Sequence, residues 1–91
     1  MKVVFTKPAL ADLDEISAYL LTEYPAIAPA VERRIRVVLE RIAEWPESGQ
    51  RVAGREGVRV VPLLRYPYLI FYRVAPDAVE ILHVRHSSRS G

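Results

Sequence analysis

Six cationic side chains in the last third of the chain are the ones best suited to chemistry: Arg59, Arg65, Arg73, Arg85, His86 and Arg89. A guanidinium grips phosphate or carboxylate through a planar fork of N–H donors, and an imidazole exchanges its proton close to neutrality. His86 with Arg85 and Arg89, and with Arg65 or Arg73 nearby, could hold a phosphate and move a proton beside it. The same arginines could instead meet the carboxylates of a partner, since several of them on one small sheet exceed what local acids can neutralise. The plainer alternatives are solvated or ion-paired arginines on sheet edges and a strand-end histidine that caps or packs. His83, between Leu82 and Val84, reads as packed or surface-exposed. On a strand His83 and His86 point to opposite faces, so they are not expected to bind a metal together. With no cysteine, neither a disulfide nor a thiolate metal site is possible. Gly49, Gly54 and Gly57 fit no phosphate-loop or dinucleotide spacing.

The charge is uneven. The chain carries 13 Lys and Arg against 11 Asp and Glu, a net +2 over 91 residues. The first half is acidic, whereas beyond Gln50 every basic residue is an arginine and only Glu56, Asp77 and Glu80 oppose them. A basic C-terminal half points to an acidic partner, nucleic acid or protein. The length implies a single domain, residues 1–91. The N-terminal stretch lacks the apolar run of a signal peptide and nothing approaches a membrane span, so the expected location is the cytoplasm, without membrane contact.

The elements that must position these residues can be read from spacing. Lys2–Thr6 is a β-rich run that Pro8 must end. Thr6 is a plausible N-cap for a helix whose apolar stripe is Leu10, Leu13, Ile16, Leu20 and Leu21. Asp12, Asp14 and Glu15 fall near its positive end, where they read as dipole-stabilised surface. Tyr24-Pro25 ends it. Pro29 opens a second helix with a stripe of Val31, Ile35, Val38, Leu39, Ile42 and Trp45, and Trp45-Pro46 stops it. Tyr24 and Trp45 read as core or helix-end packing. A loop of about a dozen residues follows, longer than most. Three strands are then expected, roughly Val58–Leu64, Tyr68–Val74 and Val79–His86, joined as hairpins. Tyr68–Tyr72 is apolar or aromatic on both faces and should be central and doubly covered. Pro62 marks an edge or a bulge. The fold class is therefore α+β, in the order β-α-α-β-β-β, with a helical hairpin packed on a small antiparallel sheet.

In this frame the chain resembles the RelE/ParE toxins of bacterial type II toxin–antitoxin pairs, most closely the ParE branch. The resemblance rests on Ala11-Asp12-Leu13, Ile16 and Tyr19 in the first helix, then Pro46, Ser48 and Gly49, then Gly57-Val58-Arg59. It continues through Tyr66, Tyr68, Ile70 and Tyr72, then Glu80-Ile81-Leu82, His86 and Arg89. It implies a toxin held by a cognate ParD-like antitoxin in a hetero-oligomer, with no cofactor. It also implies one of two targets, DNA gyrase blocked by binding or ribosome-bound mRNA that is cleaved. Cleaving members place an arginine where this chain has Leu69 and lysines where it has Val60, Val61 and Pro62. They also use a late tyrosine, and none follows Tyr72 here. The resemblance thus favours gyrase, with Arg59, Arg65, Arg73, Arg85, His86 and Arg89 as partner contacts. The alternatives are an mRNA endonuclease using His86, Arg85 and Arg89, and an inactive module that only binds antitoxin.

Overall fold

The computed structural model describes residues 1–89, with the side chain of Arg89 outside the described part. Chain order is β1 (Lys2–Phe5), α1 (Lys7–Glu23), α2 (Ala28–Glu44), β2 (Gln50–Arg51), β3 (Val58–Pro62), β4 (Tyr68–Val74) and β5 (Ala78–His86), closed by a 3₁₀ turn at Ser87–Arg89. Thr6 caps α1 as expected, its hydroxyl oxygen accepting from Ala9 N at 3.3 Å. The same hydroxyl faces the carbonyl oxygens of Ile81 at 2.8 Å and Leu82 at 3.2 Å, which pins the start of α1 to β5. Both helices stop one residue before the expected X-Pro pair, at Glu23 and Glu44.

The sheet runs β1-β5-β4-β3-β2. It differs from the expected one in two respects. Within the loop after α2, Gln50 and Arg51 pair with Val60 and Arg59 and add a two-residue strand too short to carry any periodicity. At the other edge β1 runs parallel to β5, whereas the hairpins β3–β4 and β4–β5 are antiparallel. No tight turn links β1 to β5, so nothing imposes an antiparallel pairing on them. Pro62 lies beyond the reach of β2, where its missing N–H leaves no ladder bond unmade. The register shift occurs in β4–β5 instead, where Phe71 faces His83 but Tyr72 faces Ile81, leaving Leu82 as the extra residue.

Register and alternation assign the faces. Tyr72 with Arg59 and Ile81, Ile70 with Val61 and Val84, and Tyr68 with His86 share one face. On that face Ile70, Tyr72, Ile81 and Val84 pack with Leu20, Val31, Val38 and Ile42 of the helices. Leu69, Phe71 and Arg73 lie on the opposite face with Arg85, His83 and Glu80. β4 is central, but it is not doubly covered. Tyr68, Ile70 and Tyr72 are buried and Leu69 and Phe71 only half-buried, because both helices lie on one side. Of the helix-end aromatics, Tyr24 packs at the end of α1 as expected, its ring centroid 6.0 Å from that of Tyr19, although it is 52% exposed, and Trp45 is 63% exposed. Being at C-caps, they project past the helical stripe rather than along it. Leu10 and Leu21, the flanks of the α1 stripe, are exposed as well. Among the described residues no helix is long and apolar enough to cross a membrane.

Candidate functional site

β5 is longer than its neighbour. β1 pairs only with Ala78 to Ile81, so the edge beyond is left without a strand partner, and α1 lies along it. Asp12 of α1 supplies what a strand would have given: its Oδ2 accepts from Val84 N at 3.0 Å. The same oxygen is 3.2 Å from Nδ1 of His83. A carboxylate only accepts, so Nδ1 is the donor, and in the neutral ring Nε2 is then the acceptor.

His86 is held the other way round. Ser88 N approaches its Nδ1 at 3.2 Å and Ser88 Oγ at 2.7 Å. A backbone N–H can only donate, which makes Nδ1 the acceptor and puts the proton of the neutral ring on Nε2. The ring also meets Tyr68 edge-on, with centroids 5.5 Å apart. Both imidazoles line one open cleft of about 520 Å³, together with Asp12, Tyr19, Tyr68 and Arg85. In the neutral rings the two residues lining the cleft thus hold opposite tautomers, with Nε2 the acceptor in His83 and the donor in His86, the kind of pair that general acid–base chemistry uses. Among the described residues no group of three His, Asp or Glu side chains could hold a metal ion.

The remaining arginines are scattered. Arg85 shares the cleft with His86, although the two alternate across the strand. Arg73 lies near the other end of β4 on the face away from the helices, 4.0 Å from Glu80. Arg59 donates through Nη1 to the carbonyls of Glu47 at 3.1 Å and Gly49 at 2.8 Å. Arg65 sits in the β3–β4 turn, where Leu64 and Arg65 both take positive φ, 50° and 67°. Neither Arg65 nor Arg73 lines the cleft. The side chain of Arg89 lies outside the described residues.

A second concavity is apolar. Between α1 and α2 runs a groove of about 500 Å³ lined by Leu13, Ile16, Leu20, Leu21, Ile35 and Leu39 among others. A helical hairpin over a mixed sheet is also found in known proteins. The family described as the ParE toxin of the type II toxin–antitoxin system parDE matches residues 3–91. The chain belongs to the ParE toxin family. Toxin RelE2 of Caulobacter vibrioides is 39% identical over 90 residues, covering 97% of each chain. Y4kP of Sinorhizobium fredii is 40% identical over 87 residues, 94% of this chain and 88% of its own. A chain of the chromosomal ParDE system of P. aeruginosa superposes with a TM-score of 0.79 at 25% identity, covering 94% of this chain and 95% of that one. This ParE-family chain is thus the toxin of a type II pair, built on two helices and a five-stranded mixed sheet.

Two side chains of this toxin matter more than the sequence reading allowed. Asp12, expected from the sequence as dipole-stabilised surface, instead holds β5 and His83. The available signal was its place three residues after Ala9 and four before Ile16, which puts a charge on the buried stripe. Arg34, whose Nε donates to Leu63 O at 2.8 Å, anchors the β3–β4 turn from α2, and no pattern in the sequence pairs those two positions.

Proposed function

We propose that this toxin acts by binding DNA gyrase and is silenced by a ParD-like antitoxin, both in the cytoplasm. The observation that carries the choice of target is the shortage of cations in the histidine cleft. Phosphodiester cleavage needs positive charge beside the acid–base group to stabilise the pentavalent phosphate. Of the described arginines only Arg85 shares a cleft with His86, and Leu69 takes the position at which cleaving members of the resembled family carry an arginine. Arg59, Arg65, Arg73, Arg85 and His86 are instead spread as contacts for a protein surface, with Arg89 continuing them in sequence.

Antitoxin capture uses the groove between the helices. An amphipathic helix would lay its apolar face against Leu13, Leu20, Leu21 and Leu39. An extended segment would add at β1, since the other edge offers two residues of β2 and then Pro62. The test pairs two assays of the purified chain, gyrase supercoiling of plasmid and primer extension on translated mRNA. Inhibited supercoiling with intact mRNA is expected. A second reading, mRNA cleavage, has the complementary imidazoles of the cleft in its favour. Cleavage that is lost in His86→Ala would overturn the gyrase assignment.

A further inference from the structure

The cations missing from the histidine cleft gather at the other end of the sheet. Arg51 on β2 lies directly opposite Arg59 on β3, and Arg55 sits in the loop joining them. All three line one open cleft of about 630 Å³, where Glu56 is the single acid. Like charges directly opposite each other on a strand pair are destabilising. Neither Arg51 nor Arg55 has an ion pair among the described residues. The arrangement is also fixed. Arg59 is clamped by two main-chain carbonyls, and the loop is closed by Val52 N to Val58 O and Val58 N to Arg55 O. Gly54 and Gly57 hold φ of +78° and +76°, with open space around a notional Cβ, so these glycines serve the backbone conformation and not a close contact.

We propose that Arg51, Arg55 and Arg59 form a binding site for the phosphodiester backbone of a nucleic acid. One carboxylate is satisfied by one guanidinium fork, whereas the guanidinium groups of Arg51 and Arg55, beside an Arg59 whose Nη1 is already engaged by two carbonyls, suit an anion with several oxygens or a run of them. Phosphates along a strand supply one charge every few ångströms, comparable to the spacing of opposed residues in a strand pair. The floor, Val58, is buried and offers no competing acceptor side chain. The site shares no residue with the histidine cleft or the helical groove, and of the proposed gyrase contacts it draws only on Arg59.

The experiment is a salt titration of full-chain binding to a short fluorescein-labelled single-stranded DNA, followed by anisotropy. Arg51→Ala/Arg55→Ala should weaken binding roughly tenfold and lower the salt slope by roughly 1.4, about 0.7 per lost phosphate contact. Arg33→Ala/Arg41→Ala removes the same charge from exposed positions on α2 and should leave both values near wild type. Equal thermal midpoints for the two variants establish that folding is unaffected. Equal loss in both variants, or no binding by the wild type at low salt, overturns the site. So does displacement of the DNA by polyglutamate or by inorganic phosphate as effective as by unlabelled DNA, which would make the preferred ligand a carboxylate chain or a free anion.

Discussion

Tyr72 and Tyr68 lie on the same strand and the same face, both are buried, and they do opposite things. The Tyr72 hydroxyl donates to Pro46 O at 2.7 Å and accepts from Gly49 N at 2.9 Å, so it closes the loop after α2 onto the sheet. Nothing else fits there: a Cβ on Gly49 would stand 2.5 Å from that hydroxyl. Tyr68 instead forms part of the wall of an open cleft, with its ring against the edge of His86. One end of β4 is thus closed by a hydroxyl bonded on both sides and the other forms the wall of an open cleft lined by two histidines. The difference follows from what lies next to each end. The 46–49 segment folds back over Tyr72, whereas beyond Phe5 there is no strand to cover β5 near Tyr68.

Breaking the closed end should have the largest effect. Tyr72→Ala removes a fully buried aromatic ring and should cost about 3–5 kcal/mol in urea unfolding. Tyr72→Phe keeps the ring but leaves Pro46 O and Gly49 N without their partner, for about 1–3 kcal/mol. Gly49→Ala pushes against the same hydroxyl and should cost about 1–3 kcal/mol, less in the Tyr72→Phe background, where the clashing atom is gone. A Gly49→Ala penalty unchanged by Tyr72→Phe would mean that the loop is held by something other than this contact.

The sequence carried the scaffold better than the site. Pro8, Pro25, Pro29 and Pro46 set helix starts and stops within a residue, because proline acts on its own backbone and that of its neighbour. The hairpins were legible from turn residues for the same local reason. What could not be read is long-range: the parallel pairing of β1, the extra residue at Leu82 and the reach of Asp12 to Val84, 72 positions away. The one-residue slip at Leu82 is enough to reassign every side chain beyond it, which is why the face shared by each arginine had no sequence signal. Arg85 and His86 share a cleft, whereas Arg73 lies on the far face of β4 and Arg65 in the β3–β4 turn, and neither lines it.

Asp12 sits between the two ends in consequence as well as in place. Asp12→Ala leaves Val84 N–H unpaired and removes the partner of His83 Nδ1. The Asp12–Val84 bond is only part-buried, so water can partly replace it, and a loss of about 1–2 kcal/mol is expected. Asp12→Asn keeps an acceptor for the amide and should recover most of that loss. If Asn fails to recover it, the charge facing His83, rather than the strand-edge hydrogen bond, is what α1 contributes there.

His86→Ala should have the smallest effect on folding, and that is its use. The ring is exposed on its Ser88 side, its hydrogen bonds among the described residues run to a residue two positions away, and it meets the edge of Tyr68. Surface changes of this kind usually stay within about 0.5 kcal/mol. Unfolding midpoints close to wild type would therefore free this variant for interpretation in either target assay, because any lost activity would report the ring itself. A large destabilisation would instead show that the open end of β4 is held by His86 much as the closed end is held by Tyr72, and the contrast between the two tyrosines would fail.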